Sequence, residues 1–243
     1  MSTVSPACSR PRLTSASYAV LFPAGGGFAE LALASADQLA PMPASASFQE
    51  AAGLVISAGT AYEGLVDRGR LQAGETVLIT AAAGGVGSAA VQIAVAQGAR
   101  ALGVASPANH DYLRGLGASE VFDYHAPDWV QQVRARVPGG VDVLLDCAGG
   151  QTRDDAIGAV RDGGRAYFIV LQSSPPQLER GITGESFAAH GGRQRLEELA
   201  RLVDAGKLRP QLEAVLPLDH AREALTRVAS RHTRGKIVLQ IGE

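Results

Sequence analysis

From residue 75 onward, short apolar runs alternate with stretches whose apolar positions recur every three or four residues. The runs predict strands at 76–80, 100–105, 119–122, 141–146, 164–170 and 236–241. The amphipathic stretches predict helices at 85–97, 107–115, 127–136, 151–160, 191–205 and 219–230. VDVLLD and RAYFIVL are almost continuously apolar, which suits strands buried on both faces. Strand–helix alternation of this kind predicts an α/β fold: a doubly wound parallel sheet of six strands in the order 3-2-1-4-5-6 with right-handed crossovers. Residues 172–189 break the rhythm and read as a loop with one short strand at most.

The chain upstream is patterned differently. Residues 1–17 are rich in Ser, Pro and Thr and read as a disordered leader. YAVLF and FAELAL then read as two strands bent at Gly25, Gly26 and Gly27, with Pro41 and Pro43 marking a linker. Ser47 and Glu50 form a capping box ahead of the apolar stretch AAGLVISAG, and a second helix is expected from Thr60 to Arg68. The expected division is a leader at 1–17, a small β-rich segment at 18–46 and one large unit at 47–243.

Charge and cysteine content narrow the classes. Lys and Arg number 22 against 24 Asp and Glu, a net charge of −2, so neither nucleic acid nor an anionic membrane is expected as a partner. Two cysteines, Cys8 and Cys147, make no disulfide framework or cysteine zinc site, and no metal is expected. The low cysteine count and the lack of a signal-like or membrane-length apolar run give a cytoplasmic expectation.

The candidate chemistry lies in TAAAGGVGSAA. Ala81, Gly84 and Gly87 give the spacing A-x-x-G-x-x-G after an apolar strand and at the head of a helix. In the logic of a Rossmann turn, a small residue closes the bend, Gly84 lets a pyrophosphate approach the backbone, and Gly87 lets helix pack on strand. Gly85 adds room. The helix that follows points its first amides and positive dipole end at the phosphates. At the end of the second strand, where an NAD site usually places an acid, this chain reads ASPANHD. Ser106, Asn109 and His110 offer hydrogen bonds to a 2′-phosphate and no carboxylate precedes Asp111, which favours NADP(H); Ala108 stands where a basic clamp could have been. Ser106 also reads as a helix cap with Pro107 behind it.

The segment TAYEGLVDRGRLQAGETVLITAAAGGVGSAAVQIAVAQGAR resembles the medium-chain dehydrogenase/reductase superfamily, on the side of the zinc-independent quinone oxidoreductases and enoyl reductases. ASPANHDYLRGLGASEVFDY, VDVLLDCAGG, GGRAYFIV, RLVDAGKLRP and HTRGKIVLQI extend the likeness over roughly residues 20–243. The resemblance implies a cofactor shell. Thr60 would sit near the nicotinamide, Ala83, Gly84, Gly85 and Val86 along the pyrophosphate, and Tyr124 near the adenosine. Ala148 and Gly149 would lie against the ribose, and Ile169, Val170 and Leu171 would offer backbone groups to the carboxamide. Lys236 reads as reaching the cofactor or as a solvated strand-end lysine, and Tyr124 equally as a half-buried edge aromatic.

Relatives of this kind carry a GroES-like catalytic lobe ahead of the Rossmann domain. Here only SYAVLFPAGGGFAELALASADQLAP resembles its last strands, and the two zinc-site patterns are absent from the sequence. No catalytic residue is assigned. His110 is the histidine placed nearest a phosphate, while His125, His190, His220 and His232 read as solvated. The resemblance implies an NADPH-dependent, zinc-independent reductase of a quinone or an α,β-unsaturated carbonyl, with an apolar small-molecule substrate. Recruitment to non-redox chemistry (cyclisation, addition or elimination) and a cofactor-sensing or partner-dependent subunit are the alternatives. A homodimer through the edge of the Rossmann sheet, around residues 164–189, and a partner chain supplying the lobe are the expected associations.

Overall fold

A computed structural model describes residues 16–19, 26–171, 176–189 and 191–242. At its centre are β3 (Thr76–Ile79), β4 (Arg100–Val104), β5 (Glu120–Phe122), β6 (Val141–Asp146), β7 (Val160–Phe168) and β8 (Thr183–Ser186). They form one six-stranded sheet in the spatial order β5-β4-β3-β6-β7-β8, with every neighbouring pair parallel. This is the 3-2-1-4-5-6 order of a doubly wound sheet, whose chain direction across the sheet reverses between β3 and β6.

The strands are apolar because both faces are covered. Val77, Ile79, Val143, Leu145 and Tyr167 point into one core with helices α1 (Phe48–Tyr62) and α2 (Gly85–Ala96). Leu78, Leu144, Ala166 and Phe168 alternate into a second core with α4 (Trp129–Arg136) and α5 (Gly150–Ile157). Helices α3 (His110–Gly115) and α6 (Arg193–Asp204) contribute Leu113 and Leu199 to the first core.

Membership of the sheet differs from the sequence expectation in one strand. The sixth strand is β8, TGES, exposed along its whole length and drawn from the expected loop. Residues Lys236–Gln240 form β10, which instead pairs in parallel with β9 (Leu212–Pro217) in a separate two-stranded ribbon. The ribbon packs on α1: a Cβ on Gly53 would stand 2.5 Å from Leu212 Cδ2. Helix α7 (Ala221–Ala229) connects the ribbon's two strands.

The N-terminal segment also departs from expectation. β1 (Ser17–Ala19) pairs antiparallel with β2 (Leu39–Pro41), whereas FAELAL is not a strand. Its Phe28, Leu31 and Leu33 are exposed. Ser17 belongs to β1 rather than to the leader, and Gly25 and the rest of the leader except Ala16 lie outside the described residues. Tyr18 docks this hairpin, with its hydroxyl donating to the Leu196 carbonyl in a cluster with Ala40, Ala51, Val55 and Leu196. Burial, with Asp204 nearby, raises the Tyr18 phenol well above its usual value.

Ser47 and Glu50 form the expected capping box of α1. The helix then runs without interruption into a π-helical stretch at Glu63–Arg68, so no separate second helix begins at Thr60. Hydrogen bonding from i to i+5 brings residues five apart onto one face. Arg68 accordingly reaches the buried Glu63 at 2.7 Å, and Arg195 from α6 binds the same carboxylate at 2.6 Å. No helix among the described residues is long and apolar enough to cross a membrane.

Candidate cofactor site

Every strand from β3 to β7 ends at the same edge of the sheet, and the turns that follow them converge there. The turn after β3 is the most constrained. Ala81 occupies the left-handed region at φ 44°, a conformation that glycine reaches without a Cβ clash. Gly87 is required by packing, because a Cβ there would lie 2.5 Å from both the Ala81 carbonyl oxygen and Ala82 Cα. Gly84 is different. Its φ is −74°, and a Cβ would meet nothing nearer than the Ala81 oxygen at 3.4 Å. Nothing in the protein's own packing demands glycine at 84, and its open side is the space a diphosphate would fill.

Gly84 caps α2, and the amides of Gly85, Val86 and Gly87 that follow have no acceptor within the helix. Gly85 makes room for protein rather than ligand: a Cβ would stand 2.4 Å from Lys236 Cδ and 2.9 Å from Ser57 Oγ. Lys236 therefore lies across the head of α2, and burial lowers the pKa of its ammonium. The C-terminal chain is fastened here as well, since the Gly235 amide donates to the Ala83 carbonyl at 2.9 Å.

After β4, Ser106 occupies the cap position ahead of Pro107, but its side chain makes no capping bond. Instead Ser106 Oγ accepts from Asn109 Nδ2 at 3.2 Å. His110 turns back on its own loop, Nε2 contacting the Ala105 carbonyl at 3.2 Å. A residue that sequence reading passed over completes this corner. Arg234 donates through Nε to Asn109 Oδ1 and through Nη2 to the Ala108 carbonyl, both at 2.6 Å. The basic group that Ala108 lacks thus arrives from a position 125 residues beyond Asn109.

After β6, the fully buried Asp146 and Thr80 cross the switch point. Thr80 Oγ1 donates to Asp146 Oδ1 at 2.6 Å and accepts from the amides of Cys147 and Ala148. The Gly149 amide donates to Asp146 Oδ2 at 3.0 Å. The amides of Ala148 and Gly149 are therefore both engaged by the Thr80 and Asp146 side chains. Burial raises the Asp146 carboxyl pKa despite these donors. The Ile169 amide is similarly engaged, donating to the Asp146 carbonyl at 3.1 Å. Val170 and Leu171 continue that turn, with Leu171 half exposed. Tyr124, after β5, is partly exposed and stacks on His125 with ring centroids 4.0 Å apart.

Thr60 is buried in α1, one turn beyond Ser57, and its hydroxyl donates to the Ile56 carbonyl at 2.7 Å. With its proton engaged, the oxygen retains acceptor capacity. The remaining histidines described, His125, His220 and His232, are exposed, and His190 lies outside the described residues. Asp154 and Asp155 fall in the middle of α5, Asp154 pairing with Arg153.

Known proteins share this strand–turn–helix arrangement and much of the sequence around it. The zinc-binding dehydrogenase family profile matches residues 116–239. The chain belongs to the medium-chain dehydrogenase/reductase superfamily, among the zinc-binding dehydrogenases. A probable mitochondrial zinc-binding oxidoreductase of Arthroderma benhamiae is 31% identical over 89% of this chain and 69% of its own length. A crystal structure of an NAD-dependent alcohol dehydrogenase has a TM-score of 0.80 at 33% identity, covering 89% of this chain and 66% of that one. A quinone oxidoreductase from Coxiella burnetii has a TM-score of 0.77 at 27% identity, covering 86% and 66%. The chain thus spans about two thirds of these medium-chain dehydrogenases and corresponds mainly to their Rossmann part. The family name carries a zinc, yet no three His, Cys, Asp or Glu side chains gather to hold a metal among the described residues.

Proposed function

We propose that this chain binds NADP(H) along the β3–α2 turn and serves the reduction of a quinone or an α,β-unsaturated carbonyl without a metal. The observation that carries the nucleotide reading is Gly84: open on one side, free of any packing need for glycine, and next to three helix-head amides. The dinucleotide, when bound, supplies the hydride chemistry. The residues' part is to hold and orient it. The amides of Gly85, Val86 and Gly87 would bind the diphosphate, with the Lys236 ammonium close by. The Thr60 oxygen can accept from the carboxamide. Thr80 and Asp146 fix the turn on which the ribose would rest. No side chain is assigned the proton that completes the reduction, and none is needed where solvent reaches the acceptor. Ser106 and the lack of an acid at the end of β4 favour the phosphorylated cofactor.

Quinones and enones share a conjugated, electron-poor carbonyl, so one hydride donor serves both. A panel of both classes with NADPH, followed at the nicotinamide absorbance, tests the activity. Tight cofactor binding with a flat trace across the panel would remove the redox reading and leave the binding one.

We further propose association of two copies through β8. This edge strand is exposed throughout and has no neighbour on its outer side among the described residues. Light scattering of the wild type and of Ser186→Pro, which removes an amide from the outer side of that strand, should give a dimer and a monomer respectively.

A further inference from the structure

We infer that Arg234 selects the 2′-phosphorylated dinucleotide, as a cation delivered to the ribose end of the site by the C-terminal segment. This rests on the nucleotide reading above and names the residue that sets the choice of cofactor. The guanidinium is held by two neutral acceptors, Asn109 Oδ1 and the Ala108 carbonyl, each at 2.6 Å. Among the described residues it has no carboxylate partner. The nearby acids are otherwise engaged: Glu213 accepts from the backbone amide of Arg234 at 2.7 Å, and Asp111 pairs with Arg114 at 2.8 Å. The Tyr112 ring lies on the other side, 5.9 Å from the guanidinium carbon. A guanidinium has five N–H donors, and two are used here, so three remain for an anion.

The direction of the hydrogen bonds matters as much as the charge. Arg234 donates to Asn109, and Asn109 donates to Ser106 Oγ. Each bond polarises the next. The Ser106 proton at the end of this chain has no acceptor among the described residues, so it is left to donate outward. Ser106 stands where the strand-end carboxylate of an NAD site would sit. A cation and a hydroxyl donor here match a phosphate and offer little to a plain ribose hydroxyl pair. Backbone contacts hold the arginine in register. Its own amide is tied to Glu213, and Gly235, at φ 71°, could not carry a Cβ, which would lie 2.2 Å from the Gln211 carbonyl oxygen.

The test is calorimetric titration of the full chain and of Arg234→Gln and Arg234→Lys with NADPH and with NADH. NADH lacks the phosphate and reports whether the fold and the diphosphate site survive the substitution. Wild type should prefer NADPH; Arg234→Gln should lose about tenfold or more in NADPH affinity while NADH binding stays within about threefold. Arg234→Lys should fall between them, and added salt should erode the NADPH advantage of the wild type more than that of Arg234→Gln. Equal loss of both nucleotides in Arg234→Gln would make the residue structural and overturn the inference. An undiminished NADPH preference in that variant would overturn it too, while leaving the nucleotide reading intact. A wild type that binds neither nucleotide would overturn both.

Discussion

The amide of Gly235 donates to the carbonyl of Ala83 at 2.9 Å, so the last strand of the chain is fastened to the turn after the first strand of the sheet. Gly84 and Gly235 also form an isolated parallel bridge. The cofactor turn is therefore a two-segment structure, and damage to the C-terminal ribbon should reach it. Gly235→Ala would force a Cβ into the Gln211 carbonyl in a left-handed conformation. The expected cost is about 1–3 kcal/mol in a urea melt, accompanied by weakened NADPH binding. Unchanged binding in a variant destabilised by that amount would separate the ribbon from the turn.

Two of the turn's small residues, Gly87 and Ala81, answer to different demands, and substitution should separate them. Gly87→Ala meets the Ala81 and Ala82 backbone at 2.5 Å, so about 1–3 kcal/mol of destabilisation is expected. Ala81→Gly relieves a left-handed alanine at φ 44° and should be neutral to stabilising, by at most about 1 kcal/mol. Denaturant midpoints of the two variants should move in opposite directions or, for Ala81→Gly, not at all.

Asp146 gives a pH signature. Its folded pKa is raised by burial above the unfolded value of about 3.9. The unfolded state then loses the proton first, so this group's stabilisation is complete below the unfolded pKa and declines as pH rises through the folded one. The stability of wild type minus that of Asp146→Asn should fall over that interval and then level off. A difference that rises with pH there would mean that the Thr80 hydroxyl and the Ala148 and Gly149 amides outweigh burial.

Glu63 anchors the π-helical stretch to α6 through Arg68 and Arg195. Glu63→Ala leaves two partly buried guanidinium groups without this carboxylate, and a loss of about 3–5 kcal/mol is expected in chemical denaturation. A loss under about 1 kcal/mol would show that Asp67, 2.6 Å from Arg195, and Glu185, paired with Arg68, compensate.

The parts that sequence made legible were those in which burial leaves an apolar imprint. VDVLLD and TVLI lie under helices on both faces, so their composition announces them. TGES has no such imprint, because an exposed edge strand is chosen by backbone pairing with β7 rather than by its side chains. KIVLQ carries the apolar signal but pairs with LEAVLP outside the main sheet, a choice of partner that composition does not encode. In the site, the glycine spacing revealed the turn, since Gly87 must pack against backbone. Arg234 stayed hidden because its neighbour Asn109 is brought to it only by the return of the last strand. The signal lay in RGK itself, a cation immediately before the glycine that bridges to Gly84.

In the proposed complex the β3–α2 turn grips a nicotinamide dinucleotide through its diphosphate. Calorimetric titration of NADPH into wild type and Gly84→Ala tests it most directly. Alanine fits the turn, with its nearest contact at 3.4 Å, so stability should stay within about 0.5–1 kcal/mol while affinity falls about tenfold or more. Absence of heat with either nicotinamide nucleotide in the wild type, or equal affinity in the two proteins, would contradict it.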